Sequence, residues 1–433
     1  MHRNSEFSLF RIAGVPYLLP FGQGIARHKR GVRINETGIY LWELLGEDLS
    51  EKEILSRFTA HYGNSGAEPS ELETDLSLFL QMLNRYDILE NDTPNCSVSP
   101  GIQNTVSGTD AKTASIENPD FLSDSDTNAA SVPPCRPDPQ ADPYNLNIPC
   151  QKRRYLRIGG LTLMFRAPQW AFPPEFNAFE IPAVSHVHQT ITVAEQAPLP
   201  SSGGKILLQD RELTVWEKDL QYVFFFPTAP GIHEARLTKD GKDAIYYCRP
   251  PYTDTFRQDL FHAIRLSFLY LAQLHHMAVL HSASLLYRDR AWLFSGHSGA
   301  GKSTHANLWK ELYHVPLLNG DLNLLSMENG SPTVHGLPWC GTSGISDTSS
   351  HPLGGILLVK KSLENHCVSL SDDKARLLVS QRLISPCWTE RLMQKNLDFT
   401  DTLAPHILIR RLYCTKTHEA AETAKKAIDD YLL

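Results

Sequence analysis

One short glycine-rich stretch constrains the fold of this chain more than any other feature of the sequence. Residues 296–304 read Gly-His-Ser-Gly-Ala-Gly-Lys-Ser-Thr, so that two glycines five positions apart precede a lysine and a hydroxyl residue. Glycines let the backbone curl until successive N–H groups point at one anion. The apolar run before the stretch predicts a buried strand, and the pattern after it predicts a helix whose N-terminus faces the anion. The sequence therefore predicts a phosphate-binding loop (P-loop).

The pattern assigns a role to each residue of this loop. The predicted nucleotide-binding residues are Gly296, Ser298, Gly299, Ala300, Gly301, Lys302, Ser303 and Thr304. Lys302 would reach the terminal phosphates, and the Ser303 hydroxyl would ligate Mg²⁺. Guanine-specific proteins carry Asn/Thr-Lys-x-Asp after the loop, whereas residues 415–418 here read Thr-Lys-Thr-His and lack the carboxylate. We therefore expect ATP as the nucleotide.

The composition restricts the partners and the compartment. A formal net charge of −7 over 433 residues argues against a general affinity for nucleic acid or for an anionic membrane. No uninterrupted apolar run reaches the roughly 18 residues of a spanning helix, and the first residues lack the apolar core of a secretion signal. The eight cysteines include no CxxC pair. We therefore expect a cytoplasmic protein with reduced thiols.

Residues 1–91 are predicted to form one compact unit of short strands followed by three helices. Strands are expected at 7–12 and 16–21, with a third in the run to residue 34. The second and third helices each begin with a capping-box pattern, at Ser50 and at Ser70. The third helix carries an apolar stripe at helical spacing, made of Leu72, Leu76, Phe79, Leu80 and Leu83.

This order of strands and helices is a winged-helix outline, which suggests DNA binding as one function. The third helix, however, begins with Glu71, Glu73 and Asp75, which would repel the phosphates of a nucleic acid. A ligand of another class is therefore expected for this unit.

The rest of the chain divides into three predicted regions. Residues 92–150 are rich in Ser, Thr, Asn, Asp, Pro and Gly, which predicts a flexible, disordered linker. Residues 151–250 alternate short β-type runs with turns and predict a β-rich layer. Residues 251–433 are expected to form the P-loop domain, with a long helix from residue 254 and a final strand near 353–359 followed by packing helices. The predicted fold class is mixed α/β (α+β).

The N-terminal unit resembles the PqqD-like peptide-recognition domains of ribosomal peptide biosynthesis. The resemblance lies in residues 32–45 (VRINETGIYLWELL), in the segment that begins at Ser50, and in residues 79–89 (FLQMLNRYDIL). It covers about 85 residues. It implies that this domain captures the leader of a ribosomally made precursor peptide as an added strand at its sheet edge, beside the third helix.

The region from about 153 to 430 resembles the HPr kinase/phosphorylase family, whose fold is shared with ATP-dependent phosphoenolpyruvate carboxykinase. The similarity is greater to its small-peptide and serine kinase relatives than to the HPr enzyme. It rests on a hairpin that leads into the P-loop and on three local matches. These are His281, fifteen residues before Gly296, the loop from Gly296 to Thr304, and Leu317-Leu-Asn-Gly-Asp321, where the family has two adjacent acids. Relatives form oligomers, so the resemblance also implies a homo-oligomer.

The resemblance implies catalytic roles for Asp321, His281 and Lys302. Asp321 would orient the acceptor hydroxyl and bind Mg²⁺ together with Ser303. His281 would tune that carboxylate or contact phosphate, with a core histidine capping the preceding helix as the alternative. This chain departs from the family at Gly320, which stands in place of the first acid. A single carboxylate would then do both tasks, or Asp347 would supply the second, and phosphorylase activity is in doubt more than kinase activity.

A second unusual stretch, residues 335–344, contains three glycines and small hydroxyl residues. It is interpreted as a mobile loop at the position where relatives contact the acceptor, with a turn-rich connection as the alternative. Cys340 within it is not expected to act as a nucleophile, because kinase chemistry needs none.

The function predicted from these observations is a Mg·ATP-dependent kinase that phosphorylates a Ser or Thr hydroxyl of a precursor peptide bound by the N-terminal domain. One alternative is a kinase for a small metabolite such as free serine. Another is a catalytically inactive nucleotide-binding protein that chaperones a peptide, which the glycine at position 320 suggests.

Overall fold

The computed structural model describes residues 2–27, 29–47, 49–63, 68–90, 152–198 and 203–433. The linker expected at 92–150 lies outside these ranges. The described residues on either side of it belong to one compact unit, and the mixed α/β class is confirmed. The expected boundaries between domains remain predictions. Within the described ranges, no helix is both long enough and apolar enough to cross a bilayer.

The N-terminal part combines a small antiparallel sheet with helices. Its elements in chain order are β1 (His2–Arg3), β2 (Phe7–Ile12), β3 (Val15–Pro20), α1 (Gln23–Ala26), β4 (Val32–Arg33), α2 (Glu36–Leu44), α3 (Glu51–Tyr62), α4 (Pro69–Arg85) and β5 (Leu89–Glu90). The sheet order is β2-β3-β4, and β1 pairs with β5. Ala13 and Gly14 adopt positive φ angles of 50° and 79°, which allows the tight turn between β2 and β3.

Helix capping is confirmed at one of the two predicted sites. Ser50 Oγ accepts a hydrogen bond from the Glu53 N–H, and the Glu53 carboxylate accepts one from the Ser50 N–H at 2.8 Å. The capping box predicted at Ser70 is wrong. The helix begins two residues before the start that this pattern predicts, at Pro69 instead of Glu71, with Glu68 as an N-cap that makes no side-chain bond. Proline's fixed φ and missing N–H suit the first helical position, so it moves the start of the helix.

The β-rich layer is a nine-stranded sheet. Its strands are β6 (Lys152–Ile158), β7 (Leu161–Ala167), β8 (Glu180–Ile181), β9 (Gln189–Ala194), β10 (Lys205–Gln209), β11 (Thr214–Lys218), β12 (Gln221–Phe225), β13 (Ile232–Thr238) and β14 (Asp243–Cys248), in the order β10-β11-β12-β13-β14-β9-β7-β6-β8. Helix α5 (Asp254–Leu274) follows. Its apolar side chains, including Phe256, Ile264 and Phe268, join the core of this sheet.

The remaining residues form a seven-stranded sheet flanked by helices. In chain order they are β15 (Ala278–Tyr287), β16 (Arg290–Ser295), α6 (Lys302–Tyr313), β17 (Leu322–Glu328), β18 (Ser331–His335), β19 (Ser350–Lys361), β20 (His366–Ser369), α7 (Asp372–Ser380), α8 (Glu390–Leu403), β21 (Leu408–Cys414) and α9 (His418–Leu432). The order is β16-β15-β17-β18-β19-β21-β20, and β16 also pairs with β19, so five strands close on one another. The expectation of a final strand near 353–359 is wrong, because β20 and β21 follow β19.

The N-terminal sheet packs against the C-terminal helices. Phe10, Ile12, Tyr17 and Leu19 form a buried cluster with Leu397 of α8. The segment after β3 adds a main-chain bond, in which the Gly22 N–H donates to the Cys387 carbonyl at 2.9 Å. The sheet is thereby held against α7 and α8, the helices that precede β21.

Candidate active site

The predicted P-loop connects β16 to α6. The expected hairpin leads into it, since β15 and β16 pair in antiparallel register. Gly299 and Gly301 have φ angles of 70° and 101°, a conformation that residues with a side chain rarely adopt. Gly296 lies so close to β19 that a Cβ atom there would be 2.8 Å from the Val359 carbonyl oxygen. The local strand, loop and helix expected from the sequence are therefore confirmed.

Lys302, the first residue of α6, is folded back over this loop. Its Nζ atom lies 3.4 Å from the carbonyl oxygens of both Gly296 and His297, and the residue is 8% exposed. Burial lowers the pKa of Lys302, and the charge of Asp321 partly opposes this effect. The ammonium is thus partly desolvated and held by neutral carbonyl groups beside a carboxylate.

The exposed part of the loop borders a cavity that we name the helix-side cavity. It has a volume of about 550 Å³ and is lined by Gly299, Ala300, Gly301, Lys302, Ser303, Thr304, His305, Leu308, Lys361, Ser362, Leu363, Cys414, Thr415 and Lys416. Ser303 and Thr304 are exposed in the first turn of α6. Most of the predicted nucleotide-binding residues therefore share one cavity. Ser298, also exposed, and Gly296 instead border a neighbouring cavity described below.

Asp321 immediately precedes β17 and is positioned by buried hydrogen bonds. Its carbonyl oxygen accepts from the Ser282 N–H at 2.9 Å. Behind it, the Asn323 amide donates to the Ser282 carbonyl at 2.7 Å, and Ser284 Oγ donates to Asn323 Oδ1 at 2.6 Å. This network ties the Asp321 backbone to β15, because buried polar groups that are fully bonded hold one arrangement.

His281 lies on β15 and faces this carboxylate. Its Nε2 atom is 3.4 Å from Asp321 Oδ1, and both side chains are about one-third exposed. Burial lowers the pKa of His281, and the charge of Lys302 lowers it further. The alternative reading of His281 as a helix cap is wrong, since α5 ends at a C-cap formed by His275. The structure thus brings His281, Asp321 and Lys302 together.

Two arginines that sequence analysis did not identify also face this group. Arg265 of α5 is largely buried, and burial lowers its pKa while the charge of Asp321 opposes that effect. The backbone carbonyl of Arg382 accepts a hydrogen bond from the His281 N–H at 3.1 Å. The guanidinium of Arg382 lies 2.7 Å from Nε2 of His297 in the P-loop. Neither arginine belongs to a local motif, so only the contacts between distant elements reveal them.

Gly320 contacts Ser343 of the second unusual stretch. A Cβ atom at position 320 would lie 2.0 Å from Ser343 Oγ. That hydroxyl donates to the Cys340 carbonyl at 2.7 Å and accepts from the Ile345 N–H at 3.2 Å. The space beside Asp321 that a first acid would need is therefore filled by a bonded serine.

The stretch 335–344 is anchored at one end and covers Asp321 at the other. Trp339 is 1% exposed, and its Nε1–H donates to the Phe261 carbonyl at 2.8 Å. A Cβ atom at Gly341 would lie 2.9 Å from Asp321 Cβ, so this glycine rests directly on the aspartate. The expectation of a mobile loop is wrong for residues 335–339, because His335, Leu337 and Trp339 are buried.

Asp347, the alternative second acid, already has partners. Its carboxylate accepts from the Ser349 N–H at 2.9 Å and lies 2.7 Å from His351 Nε2. Burial raises the pKa of Asp347, but these hydrogen bonds outweigh that effect and lower the pKa. The second acid is therefore not free at this position.

The donor set fits a magnesium ion held mainly by its nucleotide. Ser303 and Asp321 offer one hydroxyl and one carboxylate, both accessible to solvent. Mg²⁺ typically takes one or two protein oxygens and completes its shell with phosphates and water. In the described part of the chain, no group of three or more His, Cys, Asp or Glu residues is arranged to hold a metal alone.

Comparisons with known proteins find similarity to a family model and to solved structures. Residues 26–89 match the family model of coenzyme PQQ synthesis protein D (PqqD). No curated protein matches the chain in sequence. Among solved structures, the Hpr(Ser) kinase/phosphatase from Coxiella burnetii matches at 11% sequence identity and a TM-score of 0.22, covering 36% of this chain and 95% of that chain. The PqqD resemblance found in the sequence thus has a counterpart in a family model.

Proposed function

We propose that this protein is a Mg·ATP-dependent kinase that phosphorylates a Ser or Thr hydroxyl of a ribosomally made precursor peptide. The observation that carries the proposal is the meeting of a P-loop lysine, Lys302, with the His281–Asp321 pair. P-loop lysines neutralise phosphate charge, and a carboxylate at this place orients an attacking hydroxyl. One site therefore offers a group to neutralise phosphate charge and a group to orient the hydroxyl.

The charge balance of the site supports an anionic ligand. Three cations, Arg265, Lys302 and Arg382, surround His281 and the carboxylate of Asp321. Partly buried cations without matching acids are costly, and a triphosphate supplies the missing negative charge.

The proposed transfer assigns one step to each residue. The acceptor hydroxyl oxygen forms a bond to the γ-phosphorus as the bond from that phosphorus to the β,γ-bridging oxygen breaks, leaving ADP. Asp321 accepts the hydroxyl proton, and His281, 3.4 Å away, stabilises the carboxylate in its orienting position. Lys302 and the loop amides hold the phosphates. Mg²⁺ bound by Ser303 and Asp321 would neutralise phosphate charge.

The PqqD match supports the N-terminal domain as the peptide site. We place the peptide along the outer edge of β4, because β2 is packed against α7 and α8. The Ile34 N–H bonds to the Pro16 carbonyl of β3, so the N–H of the preceding Arg33 points away from β3. It is then available to a peptide that extends the sheet.

The reaction is tested by incubating the protein with ATP and its precursor peptide and measuring a mass gain of about 80 Da, one phosphoryl group. Lys302→Ala should abolish the gain, and Lys310→Ala, an exposed lysine of the same helix, should not. Asp321→Asn should reduce transfer by at least about a hundredfold. Full activity of Asp321→Asn would refute the assigned base.

Peptide capture is tested separately from chemistry. Arg33→Pro removes the outward N–H, whereas Arg33→Ala removes the side chain alone. We expect peptide affinity, measured by fluorescence anisotropy, to fall at least about tenfold more in Arg33→Pro than in Arg33→Ala. If the wild-type protein phosphorylates free serine but adds no phosphoryl group to the peptide, the small-metabolite kinase is the better description.

The glycine at position 320 favours a second function, an inactive nucleotide-binding peptide chaperone. Under that function the protein binds ATP and peptide but yields no phosphopeptide. Binding of both ligands without a mass gain would establish it.

A further inference from the structure

The P-loop borders a second cavity, which we name the arginine-side cavity. Its volume is also about 550 Å³, and it shares Gly299, Ala300 and Lys361 with the helix-side cavity. Its cationic lining consists of Lys360, Lys361, Arg382 and Arg411, and no described Asp or Glu lines it. The cavity is therefore strongly positive.

Arg382 is fixed at the border between this cavity and the active site. Its backbone bonds to His281, and its guanidinium bonds to His297 in the loop. Burial and the charge of Arg411 lower the pKa of Arg382. Among the described residues, neither arginine makes an ion pair with a carboxylate. Two guanidinium groups held together in this way are typical of a site that binds an oxyanion.

The two cavities differ in what they offer a nucleotide. The helix-side cavity contains the first turn of α6, whose N–H groups bind phosphate, and apolar wall residues Leu308, Leu363 and Cys414. The N–H groups suit the triphosphate of a nucleotide, and the apolar wall suits its base. The arginine-side cavity does not include the first turn of α6. It is lined instead by the guanidinium groups of Arg382 and Arg411.

We propose that the arginine-side cavity is a second anion site, in which Arg411 and Arg382 bind a carboxylate or phosphate that does not belong to the nucleotide. The inference rests on the proposed function, because it assigns the nucleotide to the helix-side cavity. The oxyanion has two sources, an acidic side chain near the acceptor hydroxyl of the peptide or free inorganic phosphate. Because Arg382 also bonds to the P-loop, an anion there lies next to the transferred phosphoryl group.

Isothermal titration calorimetry on the full chain tests the site. The protein is first saturated with Mg²⁺ and AMP-PNP, a non-hydrolysable ATP analogue, and then titrated with inorganic phosphate or with acetyl-Glu-Glu-Glu-amide. We expect at least one of the two probes to bind, and Arg411→Ala to weaken that binding roughly tenfold or more, as for a lost charge-assisted bond. Tighter binding of the peptide identifies an acidic acceptor, and tighter binding of phosphate identifies the free ion.

Arg410→Ala is the matched control. Arg410 and Arg411 are neighbours on β21, so their side chains point to opposite faces of the sheet. Arg410 lies outside the cavity lining, and its guanidinium contacts the Ile409 carbonyl at 3.3 Å. Its removal deletes the same charge, and probe affinity should change less than about twofold. Arg411→Gln, which keeps most of the side-chain stem, repeats the test if Arg411→Ala does not fold.

Three results would overturn the second site. The first is that neither probe binds, and the second is that Arg411→Ala and Arg410→Ala lose equal probe affinity. The third is that Arg411→Ala loses more affinity for AMP-PNP than for the probe. The last result would mean that the nucleotide itself occupies the arginine-side cavity. If wild-type protein fails to bind AMP-PNP, the proposed kinase function fails instead, and titration without nucleotide still decides whether the anion site exists.

Discussion

The Tyr17 hydroxyl of β3 donates a hydrogen bond to Asp373 Oδ2 of α7 at 2.6 Å, across 356 positions of sequence. This bond joins the N-terminal sheet to α7, the helix that precedes Arg382. Burial, together with the hydrogen bond to Asp373 and the charge of that carboxylate, raises the pKa of Tyr17 to about 12. The phenol therefore stays protonated and remains a donor.

We predict that Tyr17→Phe lowers the free energy of unfolding by about 1 kcal/mol, because the ring stays packed and only the hydrogen bond is lost. The bond to Tyr17 lowers the pKa of Asp373. The stability it contributes is thus present above the ordinary aspartate pKa of about 4 and is lost as the pH falls below it. In urea unfolding, the difference in stability between the wild-type protein and Tyr17→Phe should be smaller at pH 3 than at pH 7. Tyr431→Phe, at an exposed tyrosine, should show none.

Restoring an acid at position 320 should be destabilising. Gly320 has no positive φ, so its backbone accepts a side chain, but Ser343 occupies the space. Gly320→Asp should lower the free energy of unfolding by about 1–3 kcal/mol, as overpacking does. Gly320→Asp combined with Ser343→Gly should recover most of that loss in thermal denaturation. Equal melting temperatures for wild type and Gly320→Asp would contradict this account.

A buried histidine should make the P-loop helix sensitive to acid. His305 is 2% exposed, and burial lowers its pKa to about 4. The unfolded chain, with a histidine pKa near 6.5, binds a proton first, so stability falls as the pH drops from about 6.5 towards 4. The loss is on the order of 3 kcal/mol.

His305→Leu should remove this part of the pH dependence of urea unfolding. The exposed His314 at the end of the same helix provides the control, and His314→Asn should leave the dependence unchanged. An unchanged slope in His305→Leu would contradict the assignment.

Trp339 should determine both stability and the cover over Asp321. Trp339→Phe leaves the Phe261 carbonyl without its donor, so we expect a loss of about 2 kcal/mol or more in urea unfolding. Because Gly341 lies on Asp321, phosphoryl transfer should fall as well. Trp170→Phe, at a partly exposed tryptophan, should cost less than about 1 kcal/mol. A stable Trp339→Phe variant with full activity would show that the anchor is dispensable.

Local patterns predicted several elements well. The β2–β3 hairpin, the Ser50 capping box and the strand, loop and helix around Gly296 all depend on neighbours in sequence, so their residues carry the information. The predicted start of α4 was wrong because Pro69 favours the first helical position and so competes with the capping pattern at Ser70. The strands after β19 were missed because β20 and β21 are specified by pairing with a distant strand.

The sequence by itself determined that residues 296–304 form a glycine-rich loop between a strand and a helix, because glycine conformations and a following helix are local properties. Only the tertiary structure decided that Asp321 faces His281, that Ser343 fills the place of the first acid, and that Arg265 and Arg382 add positive charge around Lys302. These residues come from separate helices, strands and loops. Their proximity depends on sheet register and helix packing, which arise from contacts across the whole chain rather than from any one segment.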